Sequence, residues 1–123
     1  MNKARVQRLI PKAMEYIQKH LVTNGAVPKV YQGYLASFGP SVISSGLSMA
    51  IAFNSDTDKT DKNRMMDMFL YLIKTEMPDI KASTLLEFIN QDSNYKDYFV
   101  KHLILDANIA SKLAIRTFTL KDM

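Results

Sequence analysis

Apolar residues recur with helical spacing in the first part of this chain. Between residues 3 and 22 they stand at positions i, i+3, i+4 and i+7 of one face, namely Val6, Leu9, Ile10, Ala13, Met14, Ile17 and Leu21. Pro11 lies inside this period, and because the apolar phase continues across it we favour one kinked helix over a helix that starts there. Asn24 and Gly25 favour positive φ and Pro28 blocks continuation, so the helix is predicted to end before them.

The next segment is the least charged part of the chain. Residues 34–53 contain no Asp, Glu, Lys or Arg and mix small residues with large apolar ones. We predict a helix over 29–38, a break at Gly39 and Pro40, and a third helix to about Phe53 with Gly46 inside it, where another backbone approaches closely. Such a stretch is typical of a buried centre, and its Gly, Pro and Ser content disfavours a membrane span. Its predicted inner side is formed by Val42, Ile43, Leu47, Ala50, Ile51 and Phe53.

The rest of the chain predicts three more helices. A loop over 54–63 leads, through an N-cap at Thr60 or Asp61, to a helix over 64–77 that buries Met65, Met68, Phe69, Leu72 and Ile73. Ser83 or Thr84 caps a short helix, and a final helix runs from Asn94 to about Leu120. Its buried contacts are predicted to be Tyr95, Tyr98, Phe99, His102, Leu103, Leu105, Ile109, Leu113 and Phe118. With no alternating strand pattern, residues 1–123 are expected to form a single all-α domain, a compact bundle of five to six helices.

Positive charge is concentrated in the N-terminal part of the chain. Residues 1–55 hold six Lys or Arg and one acid, whereas residues 56–123 hold ten and eleven. Four of these cations lie within about 60° of one another around the axis of the first helix, namely Arg5, Arg8, Lys12 and Lys19. They form either a solvated face or a basic ridge for a phosphate backbone, although Glu15 lies in the same stripe. Lys112 and Arg116 form a second basic strip, which a helix C-terminus would also favour.

Catalytic chemistry is not indicated. The chain has no cysteine, its two histidines (His20 and His102) lack partners at catalytic or metal spacing, and no phosphate-binding glycine loop is present. The aspartates of the 56–61 segment lack the Gly and Glu of a calcium loop. We therefore expect a non-enzyme with no metal, no cofactor and no small-molecule substrate. The N-terminal segment lacks the apolar core of a signal peptide, which favours a cytoplasmic protein.

The uncharged segment also resembles a known family signature. The order of an aromatic-led helix, a Gly/Pro break, branched apolar residues, Gly-Leu and Ala-x-x-Phe is similar to the signature of the small subunit of the Cmr complex, the type III-B CRISPR effector. Members of this family often have Pro at the position of Gly39 and Asn at that of Ser45. The matching residues are Tyr34, Leu35, Phe38, Gly39, Pro40, Val42, Ile43, Gly46, Leu47, Ala50, Ala52 and Phe53.

This resemblance implies an antiviral role in an RNA-guided, RNA-targeting ribonucleoprotein. It implies an all-α subunit that stacks in several copies beside the guide–target duplex, contacts other Cmr subunits and holds the target RNA backbone, while another subunit cleaves the target. Arg5, Arg8, Lys12 and Lys19 are then the first candidates for RNA contact, and Lys112 and Arg116 the second. The main alternative is a helical protein-interaction adaptor with no nucleic-acid contact. A helix-turn-helix DNA regulator is disfavoured, because the Ser-rich apolar segment lacks base-reading side chains.

Overall fold

Six α-helices and two short strands are found in the computed structural model, which describes residues 1–55, 60–90 and 97–123. The predicted all-α bundle is confirmed, and none of its helices in these ranges has the length and apolar character needed to cross a bilayer. The helices are α1 Lys3–His20, α2 Val30–Ser45, α3 Leu47–Phe53, α4 Thr60–Glu76, α5 Leu85–Asn90 and α6 Asp97–Ile115, and the strands are β1 Val27–Pro28 and β2 Leu120–Lys121.

The first helix follows the sequence pattern closely. Its buried residues are Val6, Leu9, Ala13 and Ile17, whereas Met14, predicted to be inside, is 36% exposed. The side chain of Asn2 caps its N-terminus by accepting a hydrogen bond from the Arg5 N–H at 3.0 Å. Pro11 lies inside the continuous helix and therefore does not start it.

The centre of the bundle lies where α1 and α4 meet α6. All five apolar residues predicted for α4 are buried, and α1 makes its most extensive contact with α6. Small side chains of α6, including Ala107, Ala110 and Ala114, are fully buried, and small residues let neighbouring helices approach closely. The long helix that the C-terminal pattern predicts is thus a central element of the core.

The expectation that residues 34–53 form the buried centre is wrong. Only one side of α2 and α3 is buried, through Leu35, Phe38, Val42, Ala50 and Ile51. On the other side Ile43 is 79%, Met49 53% and Phe53 58% exposed. The absence of charge therefore marks an uncharged outer face rather than burial on all sides.

The break in this segment lies at Gly46, not at Gly39 and Pro40 as predicted. Helix α2 continues through Pro40, and Gly46 separates α2 from α3 with φ 84° and ψ 159°, a conformation that is almost restricted to glycine. A Cβ built on Gly46 would meet no atom within 4 Å. The glycine is therefore needed for its backbone conformation, and the predicted close approach of another backbone is not present.

Two short strands correct the expectation of a strand-free chain. Asn24 (φ 53°) and Gly25 (φ 80°) form a tight turn between Thr23 and Ala26 instead of capping α1, which ends at His20 with Leu21 as its C-cap. The turn leads into β1, which pairs in parallel with β2. Helix α6 ends at Ile115, and Leu120, the predicted end of this helix, lies in β2.

Burial in α6 also differs from the sequence pattern. Tyr98 is 74%, Phe99 38% and Leu113 39% exposed, although all three were predicted to be buried. Thr84 caps α5 as predicted, accepting a hydrogen bond from the Glu87 N–H at 3.0 Å. Tyr95, the predicted helix start at Asn94 and the aspartates Asp56 and Asp58 lie outside the described residues.

Replacement of Gly46 tests the role of its backbone conformation. Gly46→Ala is expected to lower the free energy of unfolding by about 2 kcal/mol, since alanine is strained at this φ and ψ. Gly33→Ala is the matched control, because Gly33 lies in α2 with no atom within 4 Å of a new Cβ and is expected to gain about 0.5 to 1 kcal/mol. Urea denaturation measures both, and equal effects would contradict the assignment.

Candidate functional site

Arg5, the first of the predicted RNA-contacting cations, points into the protein. Its Nε and Nη2 donate to Oδ2 of Asp106 at 2.9 and 2.7 Å, and its guanidinium lies 5.7 Å from the centroid of the Phe99 ring. The side chains of Arg5 and Asp106 are only 12% and 1% exposed. The charge of Arg5 is therefore compensated inside the bundle.

Helix α1 also stabilises the Asp106 carboxylate through its N-terminus. The backbone N–H of Asn2 donates to the same Oδ2 at 3.3 Å. An anion near a helix N-terminus interacts favourably with the free N–H groups there. The ion pair and this contact join the start of α1 to the middle of α6, which is a structural role.

Arg8 and Lys12, the next two cations on α1, also have acidic partners. Arg8 donates to Glu76 of α4 through two nitrogens, at 3.1 and 2.6 Å. The hydrogen bond raises the pKa of Arg8 and lowers the pKa of Glu76. Lys12 lies 3.9 Å from Glu15. Lys19 is exposed and has no ion-pair partner among the described residues, so most of the predicted ridge is neutralised.

The second predicted strip lies on a groove between α2 and α6. Lys112 and Arg116 line it from α6 and the residue that follows it, and Lys29 lines it from the start of α2. The groove has a volume of about 410 Å³, and none of the described residues that line it is acidic. Its remaining lining residues are Gln32, Gly33, Ala36 and Ile115. Three cations thus surround a small, otherwise uncharged groove.

Local structure explains how these cations come together. Lys112 and Arg116 are four residues apart and share one face. Lys29 is positioned from the other side by the strand pair, where its N–H donates to the Lys121 carbonyl at 2.8 Å. Gly33 has no side chain and so leaves the space above α2 open. We define Lys29, Lys112 and Arg116 as the basic groove.

Lys29 is not among the site residues that the sequence predicts. The pairing of β1 with β2 places Lys29 beside the end of α6. Strands of two residues are too short to show an alternating pattern in the sequence. The one feature of the sequence that could have identified Lys29 is its isolation, because it is the only Lys or Arg in residues 20–55.

A second cavity, of about 330 Å³, lies between α4 and α5. Its lining includes Asp67, whose pKa is raised by burial, with Ser55, Asn63, Met66, Thr84, Leu85 and Leu86. Among the described residues that line this cavity, Asp67 is the only one with a carboxylate or an imidazole, the groups most often used in acid–base catalysis. Across the described ranges no group of three or more His, Cys, Asp or Glu could hold a metal ion.

Comparison with known proteins adds no relative. No protein-family model, curated protein or solved structure matches this chain. The resemblance of residues 34–53 to the Cmr small subunit therefore depends on the sequence pattern alone.

Replacing the two arginines of α1 tests their different roles. Arg5→Met leaves the buried Asp106 carboxylate without its cation and is expected to lower the free energy of unfolding by about 3 kcal/mol. Arg8→Met is the matched control, and it is expected to change stability much less because Arg8 is largely exposed. Denaturation of both variants measures this difference, and a loss at Arg8 as large as that at Arg5 would contradict it.

The contact between Arg8 and Glu76 also predicts a dependence on pH. Because Arg8 lowers the pKa of Glu76 below its usual 4.5, the stabilisation is fully present above pH 4.5 and is lost as the pH falls through the lowered value. Wild type is expected to be more stable than Glu76→Gln at pH 7, and the difference is expected to shrink below pH 4.5. A difference that stays constant from pH 7 to pH 3 in denaturation curves would contradict it.

Proposed function

We propose that this chain is a non-catalytic subunit of a Cmr-type (type III-B CRISPR) RNA-guided complex and holds the backbone of the target RNA in the basic groove. The observation that supports it best is the grouping of Lys29, Lys112 and Arg116 around one groove whose described lining contains no acidic residue. Such cations bind successive phosphates without reading the sequence. The signature-like segment over residues 34–53 connects this binding to the Cmr family.

The proposal changes the order of the candidate residues. Lys112 and Arg116 become the first RNA contacts, together with Lys29. Lys19 stays a further candidate, because it is exposed and lacks an ion-pair partner in the described residues. Arg5 ranks last, since moving its charge to a phosphate would leave a buried carboxylate unpaired.

The outer face of α2 and α3 suits an assembly of several subunits. Ile43, Met49 and Phe53 expose large apolar side chains on an uncharged surface, and such patches are typical of protein contacts. In the proposed complex this face contacts other Cmr subunits or further copies of this chain. The assembly would act in the cytoplasm in antiviral defence, with cleavage performed by another subunit.

A protein-interaction adaptor without RNA contact is the second candidate. The same apolar face favours it, because binding a partner protein requires no cations in the groove. Partner binding that persists in high salt, with no crosslinking of this chain to RNA, would support the adaptor.

The basic groove is tested with a double variant and a control of equal charge. Lys112→Ala/Arg116→Ala is expected to weaken binding of a single-stranded RNA 20-mer about tenfold. It is also expected to reduce the slope of log affinity against log salt by about 1.4, the value for two phosphate contacts on a single strand. Lys3→Ala/Lys81→Ala removes the same charge from two exposed positions that do not line the groove.

Fluorescence anisotropy at several salt concentrations measures all three proteins. The control is expected to bind nearly as well as wild type. Equal losses for both double variants would show that net charge alone matters, and no loss for the groove variant would exclude the groove as the binding site.

A further inference from the structure

Three aromatic rings lie in contact across the surface between α1 and α4. The rings of Tyr16 and His20 are 4.4 Å apart between centroids with an interplanar angle of 37°. The rings of Tyr16 and Tyr71 are 5.4 Å apart at 40°. Tyr16 is thus the central member, between one residue of its own helix and one of α4.

The central ring is anchored and the outer rings are open to solvent. Burial raises the pKa of Tyr16 to about 12, with a further contribution from the nearby Asp67 carboxylate. His20 is exposed, and Tyr71 is 36% exposed. A half-buried tyrosine therefore supports two rings whose surfaces a ligand could reach.

Charges of both signs lie around these rings, since Tyr16 also interacts with the charges of Asp67 and Arg64. Glu15 lies between Lys12, at 3.9 Å, and the hydroxyl of Tyr71, which donates to it at 3.5 Å. Lys19, which directly precedes His20 in the sequence, is exposed. Such a surface offers little net attraction for a run of phosphates, but its rings offer flat faces to other flat groups.

We propose that Tyr16, His20 and Tyr71 form a stacking platform for unpaired bases of single-stranded RNA, with Lys19 beside it to meet a neighbouring phosphate. Aromatic side chains combined with cations are a common means of binding single strands, and stacking on them tolerates any base sequence. The inference rests on the proposed function, because it takes RNA as the ligand, but it concerns bases and a different surface from the basic groove.

A purely structural role for the rings makes a different prediction. If Tyr16, His20 and Tyr71 only cover the contact between α1 and α4, their removal would change stability without changing the preference for strands that carry bases. Two probes with equal numbers of phosphates separate these roles, namely a 12-mer of uridine RNA and an abasic 12-mer.

The main variant is His20→Leu/Tyr71→Leu, which keeps apolar bulk and removes the two outer rings. It is expected to bind the uridine strand at least fivefold more weakly than wild type and the abasic strand equally well, since only the first can stack. His20→Phe/Tyr71→Phe restores the rings and is expected to restore binding. Tyr98→Leu is the control, because Tyr98 is a highly exposed ring outside the platform.

The outcomes for platform and groove are distinguishable. Unchanged binding of the uridine strand by His20→Leu/Tyr71→Leu, or equal losses on both strands, would overturn the platform whatever the groove does. Lys112→Ala/Arg116→Ala is expected to weaken both strands, and its failure to do so would overturn the groove alone. Absence of binding to either strand by wild type would overturn both, and circular dichroism with thermal melting confirms that each variant is folded.

Discussion

The contact between α1 and α6 determines where the other features of this protein lie. This is the most extensive contact between two helices of the bundle, and the buried pair of Arg5 and Asp106 joins them. A buried pair contributes less to net stability than its short distances suggest, because both charges lose their hydration. It penalises other arrangements, however, since any shift that separates the pair leaves a carboxylate buried and uncompensated.

This arrangement separates the cations of the chain into two groups. Those on α1 that face α6 or α4 find Asp106 or Glu76 as partners, and their charge is compensated within the molecule. Those at the end of α6 and the start of α2 line a groove that has no acidic residue in the described part of the chain. Whether a cation is available to a ligand is thus a property of the tertiary structure, and a helical wheel reports only which residues share a face.

The long amphipathic helices could be predicted from the sequence because one face of each is apolar at the helical period. The boundary between α2 and α3 could not be located, because both Gly39–Pro40 and Gly46 are plausible breaks. Pro40 is accommodated in α2, and Ala36, whose carbonyl loses its N–H partner there, is exposed where water can replace it. Gly46 breaks the helix because its backbone adopts a conformation that other residues rarely reach.

The basic groove could be predicted only in part, because some of its residues come together through contacts between distant parts of the chain. The four-residue spacing of Lys112 and Arg116 identifies a shared face without any knowledge of the fold. Lys29 joins them only through the pairing of β1 with β2, which are far apart in sequence and too short to show a period. The pairing of Arg5 with Asp106 joins residues separated by 101 positions, so neither the burial of Arg5 nor its acidic partner could be predicted from the α1 stripe.

The uncharged segment over residues 34–53 combines two physical requirements that its composition alone does not distinguish. Leu35, Phe38 and Val42 are buried in the core of this chain, which accounts for their apolar side chains. Ile43 and Phe53 are mostly exposed, so folding of the single chain gains little from their apolar surface. Burial of that surface against another molecule would provide the hydrophobic free energy that folding of the single chain leaves unused.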